Sequence, residues 1–135
     1  MNETLDIITI GEGLIELSTS TSLKNGGCFD KYYGGDTLVS AISALRSGSS
    51  VGYITKVAND SFGEFLLDAW QAEGLDSSQV KLTKGQNGIY FVGNNHDNKE
   101  NPREYRYYRQ KTAASTLSVN DINFEYIKKA KLVYV

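Results

Sequence analysis

Cysteine, histidine and proline each occur once in this 135-residue chain, as Cys28, His96 and Pro102. A lone cysteine excludes an internal disulfide and any thiolate cluster for a metal, and a lone histidine leaves a nitrogen-ligand site without partners. Such cysteine usage suits a reducing compartment. An excess of charge is also lacking: 14 Lys and Arg face 16 Asp and Glu, mixed along the chain, for a net charge of -2. That balance removes the electrostatic case for nucleic acid or an anionic membrane surface. No apolar run approaches membrane-spanning length, and the N-terminus meets Glu3 and Asp6 at once, without the basic region, apolar run and cleavage site of a signal peptide. The expectation is a soluble cytoplasmic protein that binds neither nucleic acid nor membrane. What is there is a chain 40% hydrophobic, long enough for one domain with its own core.

Taken in order, Leu5–Ile10 is rich in β-branched residues and stops at Gly11, as a buried first strand does. Leu14–Leu17 reads as a second short strand, residues 18–27 as a polar surface loop, and Phe29–Tyr33 as an extended aromatic stretch. From Asp36 onward, Leu38, Ala41, Ile42 and Leu45 form the i, i+3, i+4, i+7 stripe of an amphipathic helix closed by Gly48. Val51–Val57 is the next buried strand. Ser61-Phe62-Gly63-Glu64 has capping-box spacing ahead of a helix carrying Phe62, Phe65, Leu66, Ala69 and Trp70, with Gly74 as its stop. Val80–Thr83 follows as a strand, and a last helix over residues 122–129, with Ile122, Tyr126 and Ala130 on one side, leads into the apolar run 132–135. Strands alternating with helices imply an α/β fold with a mostly parallel sheet.

One section differs. Ile89–Val92 and Glu104–Arg109 flank the polar segment 93–103 and read as a hairpin with a long loop. Strand alternation places Tyr105, Tyr107 and Arg109 on one face, Arg106 and Tyr108 on the other. Polar or aromatic residues on both faces suit a flap better than a core strand. The run Arg103–Arg109 is aromatic and basic, but no wider basic patch supports it as a nucleic-acid surface.

The turn Tyr33-Gly34-Gly35-Asp36-Thr37-Leu38 feeds the first helix. Paired glycines let a ligand approach backbone N–H groups at the helix start; equally, Gly34-Gly35 turns the chain and Asp36 or Thr37 caps the helix. Glu12 and Glu16 can be read as paired carboxylates, but they sit at a turn and on a short strand with no partner base, so no catalysis is assigned to them. His96 is expected to be exposed, and Cys28 packed or inert.

Asp6–Glu12, Tyr33–Leu38, Gly52–Gly63, Gly74–Asp76, Gly88–Phe91 and Tyr107–Ser115 together, in this order and spacing, resemble the ribokinase (PfkB) sugar kinases, most of all those acting on 2-keto-3-deoxygluconate. The resemblance covers nearly the whole chain. It implies a ribokinase-like partial fold, a mostly parallel sheet with flanking helices plus a small β lid, whose strands fall at about 12–18, 28–34, 88–93 and 104–110. It also implies that Gly34, Gly35, Asp36, Thr37 and Leu38 line a sugar or sugar acid, with Tyr90, Tyr107 and Arg109 reaching it from the lid. Tyrosine hydroxyls can bond sugar hydroxyls, and a guanidinium can take a carboxylate on two prongs.

The chain departs from that pattern at Val39, where the family usually has an asparagine bonded to the substrate. Losing such a bond costs about 1–3 kcal/mol if the substrate group stays buried. Ala58 stands for a usual glycine and Asn87 for a common threonine. The family's ATP site, anion hole and catalytic aspartate belong to a continuation these residues do not include. ATP and Mg²⁺ are therefore expected for the complete enzyme and no cofactor for this chain alone. The partners implied are a small sugar or sugar acid, a second copy through the lid, or a complementing C-terminal chain.

Overall fold

A computed structural model describes residues 4–135; Glu3, named above, lies outside the described residues. The strands are β1 (Leu5–Ile10), β2 (Leu14–Ser18), β3 (Asp30–Gly34), β4 (Val51–Ala58), β5 (Val80–Thr83), β6 (Ile89–Asn94), β7 (Arg103–Tyr108) and β8 (Ala130–Tyr134). The helices are α1 (Asp36–Arg46), α2 (Ser61–Ala72) and α3 (Phe124–Ile127), with 3-10 turns at Ala114–Thr116 and Val119–Asp121.

The first sheet runs β5-β4-β1-β8, and every pairing in it is parallel. Its central strand β4 is buried almost throughout, as an apolar run flanked by helices should be. Alternation sends Val51, Tyr53 and Val57 to one face, where they pack with Leu38, Ala41 and Ile42 of α1 and Leu66 and Trp70 of α2. Ile54 goes to the other face, where Ile8, Tyr126, Ile122 and Ala130 gather around it. The fold is thus mixed α/β, with helices on a parallel sheet.

The second sheet runs β3-β2-β6-β7. In it β2 pairs antiparallel with β3 and parallel with β6, and β6 pairs antiparallel with β7. The hairpin over residues 89–109 therefore forms. These four strands span Leu14–Ser18, Asp30–Gly34, Ile89–Asn94 and Arg103–Tyr108, leaving Glu12 and Arg109 in connecting segments.

Two local expectations need correction. The box Ser61–Glu64 does not cap α2: Asp60, extended at φ -148°, accepts from the N–H groups of Phe62 at 3.0 Å and Gly63 at 2.9 Å. Its carboxylate, one residue earlier, satisfies both orphan donors and pushes Ser61 into the helix. Phe62 consequently turns outward. The last helix shrinks to one turn, because Asn123 caps at Glu125 and Tyr126 and the Lys129 carbonyl already accepts from Leu5 N–H at the foot of β1. Of the two readings of Cys28, packed or inert, its exposure removes the first. Gly48 and Gly74 do follow the helices as expected, both at positive φ.

Candidate functional site

A cleft of about 410 Å³ opens between the start of α1 and the inner face of the second sheet, lined by Leu14, Gly35, Asp36, Val39, Tyr90, Tyr107 and Arg109. Its floor is the glycine turn. Gly35 is the N-cap of α1 at φ 118°, a conformation that favours glycine, and no side chain caps the helix. Asp36 and Thr37 are therefore not caps, contrary to one of the two readings of the turn. A Cβ on Gly34 would collide with the Tyr90 hydroxyl, so the absent side chain is what lets β6 settle over the turn.

The wall is aromatic. Tyr90 and Tyr107 face each other across the β6–β7 ladder and stack with ring centroids 5.2 Å apart; Tyr105 continues the stack beyond Tyr107 at 6.4 Å. The alternation read from the sequence holds: Arg106 and Tyr108 line a separate cup on the outer face with Leu23, Phe29 and Phe91. The Tyr90 hydroxyl donates to Glu16. Burial first, and this carboxylate acceptor second, push the phenol well above its ordinary value, so it stays a donor at neutral pH.

Arg109 closes the far end, its Nη2 2.7 Å from Glu12 Oε2. The other Glu12 oxygen accepts from the Thr112 hydroxyl at 2.8 Å. Half of the Arg109 side chain remains exposed, at 55%, against 14% for Glu12, so the guanidinium faces the cleft from an anchored position.

Of the expected residues, Gly35, Asp36, Tyr90, Tyr107 and Arg109 line one cleft, and Gly34 lies beneath Tyr90. Two lie elsewhere. The Leu38 side chain is fully buried in the core, because position 38 begins the apolar stripe of α1. Thr37 turns inward, its hydroxyl 3.2 Å from that of Tyr53, whose own phenol burial pushes far upward. Sequence reasoning missed Glu12, Glu16, Leu14 and Thr112. For Glu16 a signal existed, since any parallel pairing of β2 with β6 in register sets it beside Tyr90. Glu12 and Thr112 lie 100 positions apart, beyond any local pattern. Asn87, at a departure noted above, is buried and bonded: its oxygen accepts from Ala58 N–H at 2.9 Å and its amide donates to Asp60 at 3.2 Å.

The model of the pfkB family carbohydrate kinases matches residues 4–135. A 5-dehydro-2-deoxygluconokinase of Clostridium beijerinckii is 35% identical over 138 residues, spanning 97% of this chain and 39% of that protein. A sugar kinase of Pyrococcus horikoshii, solved in complex with ATP, is 33% identical and superposes at a TM-score of 0.81 over 94% of this chain and 41% of that one. The 2-dehydro-3-deoxygluconokinase of Thermotoga maritima, 23% identical, shares the fold at a TM-score of 0.86 over 96% of this chain and 40% of that one. The chain thus spans about two fifths of the length of the relatives it matches. A family match along all the described residues and a fold shared with solved sugar kinases agree, and the chain belongs to the pfkB family of carbohydrate kinases.

Proposed function

We propose that these residues are the sugar-binding and lid portion of an ATP-dependent kinase for a keto-deoxygluconate, the 2-keto-3-deoxy acid or its 5-keto-2-deoxy isomer. The observation that carries this is the convergence of the Gly34-Gly35 turn, Asp36, the Tyr90–Tyr107 stack and Arg109 on one cleft. In this reading Arg109 takes the acid's carboxylate, Asp36 and the Gly35–Asp36 backbone take hydroxyls, and the tyrosine faces cover the carbon chain. The second sheet acts as the lid. Both isomers are acids, as are the substrates named for the Clostridium and Thermotoga proteins.

In the complete protein, ATP with Mg²⁺ supplies the phosphoryl group to a primary hydroxyl. Among the described residues no group of three acidic, histidine or cysteine side chains could hold a metal ion, and Arg109 is the only cation lining the cleft. No step of phosphoryl transfer is assigned to them, and the 135 residues alone are expected to bind without turning over ATP.

Calorimetric titration of the chain with each acid tests this. Binding in the cleft is expected, weakened at least about tenfold by Arg109→Ala, the order of a charged hydrogen-bonded pair. No binding of either acid, or indifference to the substitution, overturns the reading. ATP-dependent turnover by the chain alone would overturn the expected inactivity.

Association of two copies through the second sheet is a second reading, favoured by the outer cup of Leu23, Phe29, Phe91, Arg106 and Tyr108. Light scattering decides it: a concentration-dependent dimer that Tyr108→Asp returns to monomer supports it, and a monomer throughout removes it.

A further inference from the structure

Glu12 stands in the turn between β1 and β2, yet both its oxygens are engaged by the segment that leaves β7. Oε2 lies 2.7 Å from Arg109 Nη2, and Oε1 accepts from Thr112 at 2.8 Å. Between those two partners stands Lys111 at φ 54°, the one non-glycine residue of positive φ among the described residues, so the segment turns sharply around the carboxylate. A Cβ on Gly88 would sit 2.7 Å from Glu12 Oε1 and 3.3 Å from Arg109 Cβ; the pair is fitted through the gap this glycine leaves. With Oε1 occupied by Thr112, Glu12 meets the guanidinium on one arm only. Arg109 lines the cleft, and the remaining donors of that planar fork have no bond among the described residues that would keep them from a ligand.

We propose that Glu12 is the positioning residue of the cleft: it aims Arg109 and offsets part of its charge, so that Glu12 and a ligand carboxylate share one guanidinium. The inference rests on the reading of the cleft as a sugar-acid site. Glu12 then sets how strongly the site prefers an acid to a neutral polyol of the same carbon skeleton. Glu12→Gln keeps an acceptor for Arg109 and a polar group for Thr112 but removes the charge. Glu12→Ala removes the aim as well.

The experiment titrates the full chain with D-gluconate and with D-glucitol, which differ only in a carboxylate against a hydroxymethyl group. In Glu12→Gln, gluconate is expected to bind about two- to fivefold tighter, the range for a partly exposed charge pair, while glucitol is unchanged. In Glu12→Ala gluconate weakens. A merely structural role would move both probes together; that outcome, or no gain for gluconate in Glu12→Gln, overturns the proposal. A second measurement needs no sugar: the rate at which phenylglyoxal modifies Arg109, relative to Arg106, whose guanidinium bonds only the Tyr105 carbonyl among the described residues. Loss of the shielding carboxylate is expected to raise that ratio several-fold, and an unchanged ratio overturns the pairing. If the wild-type chain binds neither probe, the titration with the two keto-deoxygluconates decides the sugar-acid reading, and the phenylglyoxal ratio still decides whether Glu12 holds Arg109.

Discussion

The two sheets are of equal strand number and opposite construction. The parallel sheet is sealed at its two inner strands, β4 and β1, with Trp70, Tyr53, Leu66 and Val57 inaccessible on one side and Ile8 and Ile54 on the other, while its outer strands β5 and β8 stay largely exposed. In the second sheet β7 is exposed at nearly every position, and Tyr107 and Tyr108 show 54% and 64% of their surface. It is held by its ladders, by edge-on aromatic contacts such as Phe91 with Tyr108 at 5.7 Å, and by carboxylates that reach across: Glu104 to Ser22 and Leu23, Glu16 to Tyr90, Glu12 to Arg109. The larger share of the buried apolar side chains therefore belongs to the parallel sheet and its helices, and the exposed aromatic face to the second sheet. An exposed aromatic face contributes little to folding, which leaves it free to be covered by a ligand.

The sharpest way to break this comparison is a pair of truncations. Trp70 is fully buried and meets Tyr53 edge to face at 5.3 Å, so Trp70→Ala is expected to cost about 3–5 kcal/mol. That is a large share of a small domain's stability, read as a collapse of the urea midpoint. Tyr107→Ala, in the exposed stack, should leave the midpoint within about 1 kcal/mol of wild type while weakening the sugar acid about tenfold or more in calorimetry. Similar destabilisation by both changes would show that the second sheet is as much core as the first.

The next effect sits where the two parts meet. Gly34→Ala puts a methyl group into the Tyr90 hydroxyl, and overpacking of this kind costs about 1–3 kcal/mol. Tyr90→Phe removes the atom in the way together with the bond to Glu16. The double variant should therefore be less unstable than the sum of the singles, with a coupling of about 0.5–3 kcal/mol in a denaturation cycle. Strict additivity would mean that the turn and the tyrosine do not press on each other.

How far these regions were legible follows from the same contrast. The parallel sheet and α1 announce themselves locally: the stripe Leu38, Ala41, Ile42 is buried as its spacing demands, and Ile122, Tyr126 and Ala130 meet in one cluster even though only Tyr126 lies on α3. Alternation was enough to put Tyr107 and Arg109 on one face, because period two needs no knowledge of partners. The α2 cap was misread because two adjacent residues, Asp60 and Ser61, both suit an N-cap, and backbone geometry decides between them. Glu16 with Tyr90 was legible only once β2 is paired with β6, and Glu12 with Arg109 was not legible at all. Those contacts arise from β2 pairing with β6 and from the chain returning at Thr112, and both are properties of topology rather than of any window of sequence.

A milder test improves the site instead of damaging it. Val39 is 54% exposed on the second turn of α1 and lines the cleft. Val39→Asn should leave stability within about 0.5 kcal/mol, as an exposed substitution does. By offering the hydroxyls of the acid an amide, it should tighten binding by about 0.5–1.5 kcal/mol, or two- to tenfold. Weaker binding, or an altered urea midpoint, would place Val39 on the structural side of the division.

The smallest effect probes the parallel sheet through one of its few polar ties. Asp6 accepts from Lys131 Nζ at 2.7 Å on one oxygen and from the Ser50 N–H at 2.9 Å and hydroxyl at 3.0 Å on the other. The Lys131 contact first, then the Ser50 backbone, hold its carboxyl down to about 2, against about 3.9 in an unfolded chain. A depressed carboxylate stabilises the fold above the unfolded value, and that contribution is lost as the pH falls through the folded one. Asp6→Asn should therefore be slightly less stable than wild type at neutral pH, and the gap should close between about pH 4 and pH 2. Repeating the titration in molar salt separates the two partners. The Lys131 side chain is 71% exposed, so its share is screened away, whereas the Ser50 bonds, which join β1 to the residue before β4, survive. A gap that vanishes entirely in salt would mean that the tie is a surface ion pair alone, and that the parallel sheet owes nothing measurable to its polar seam.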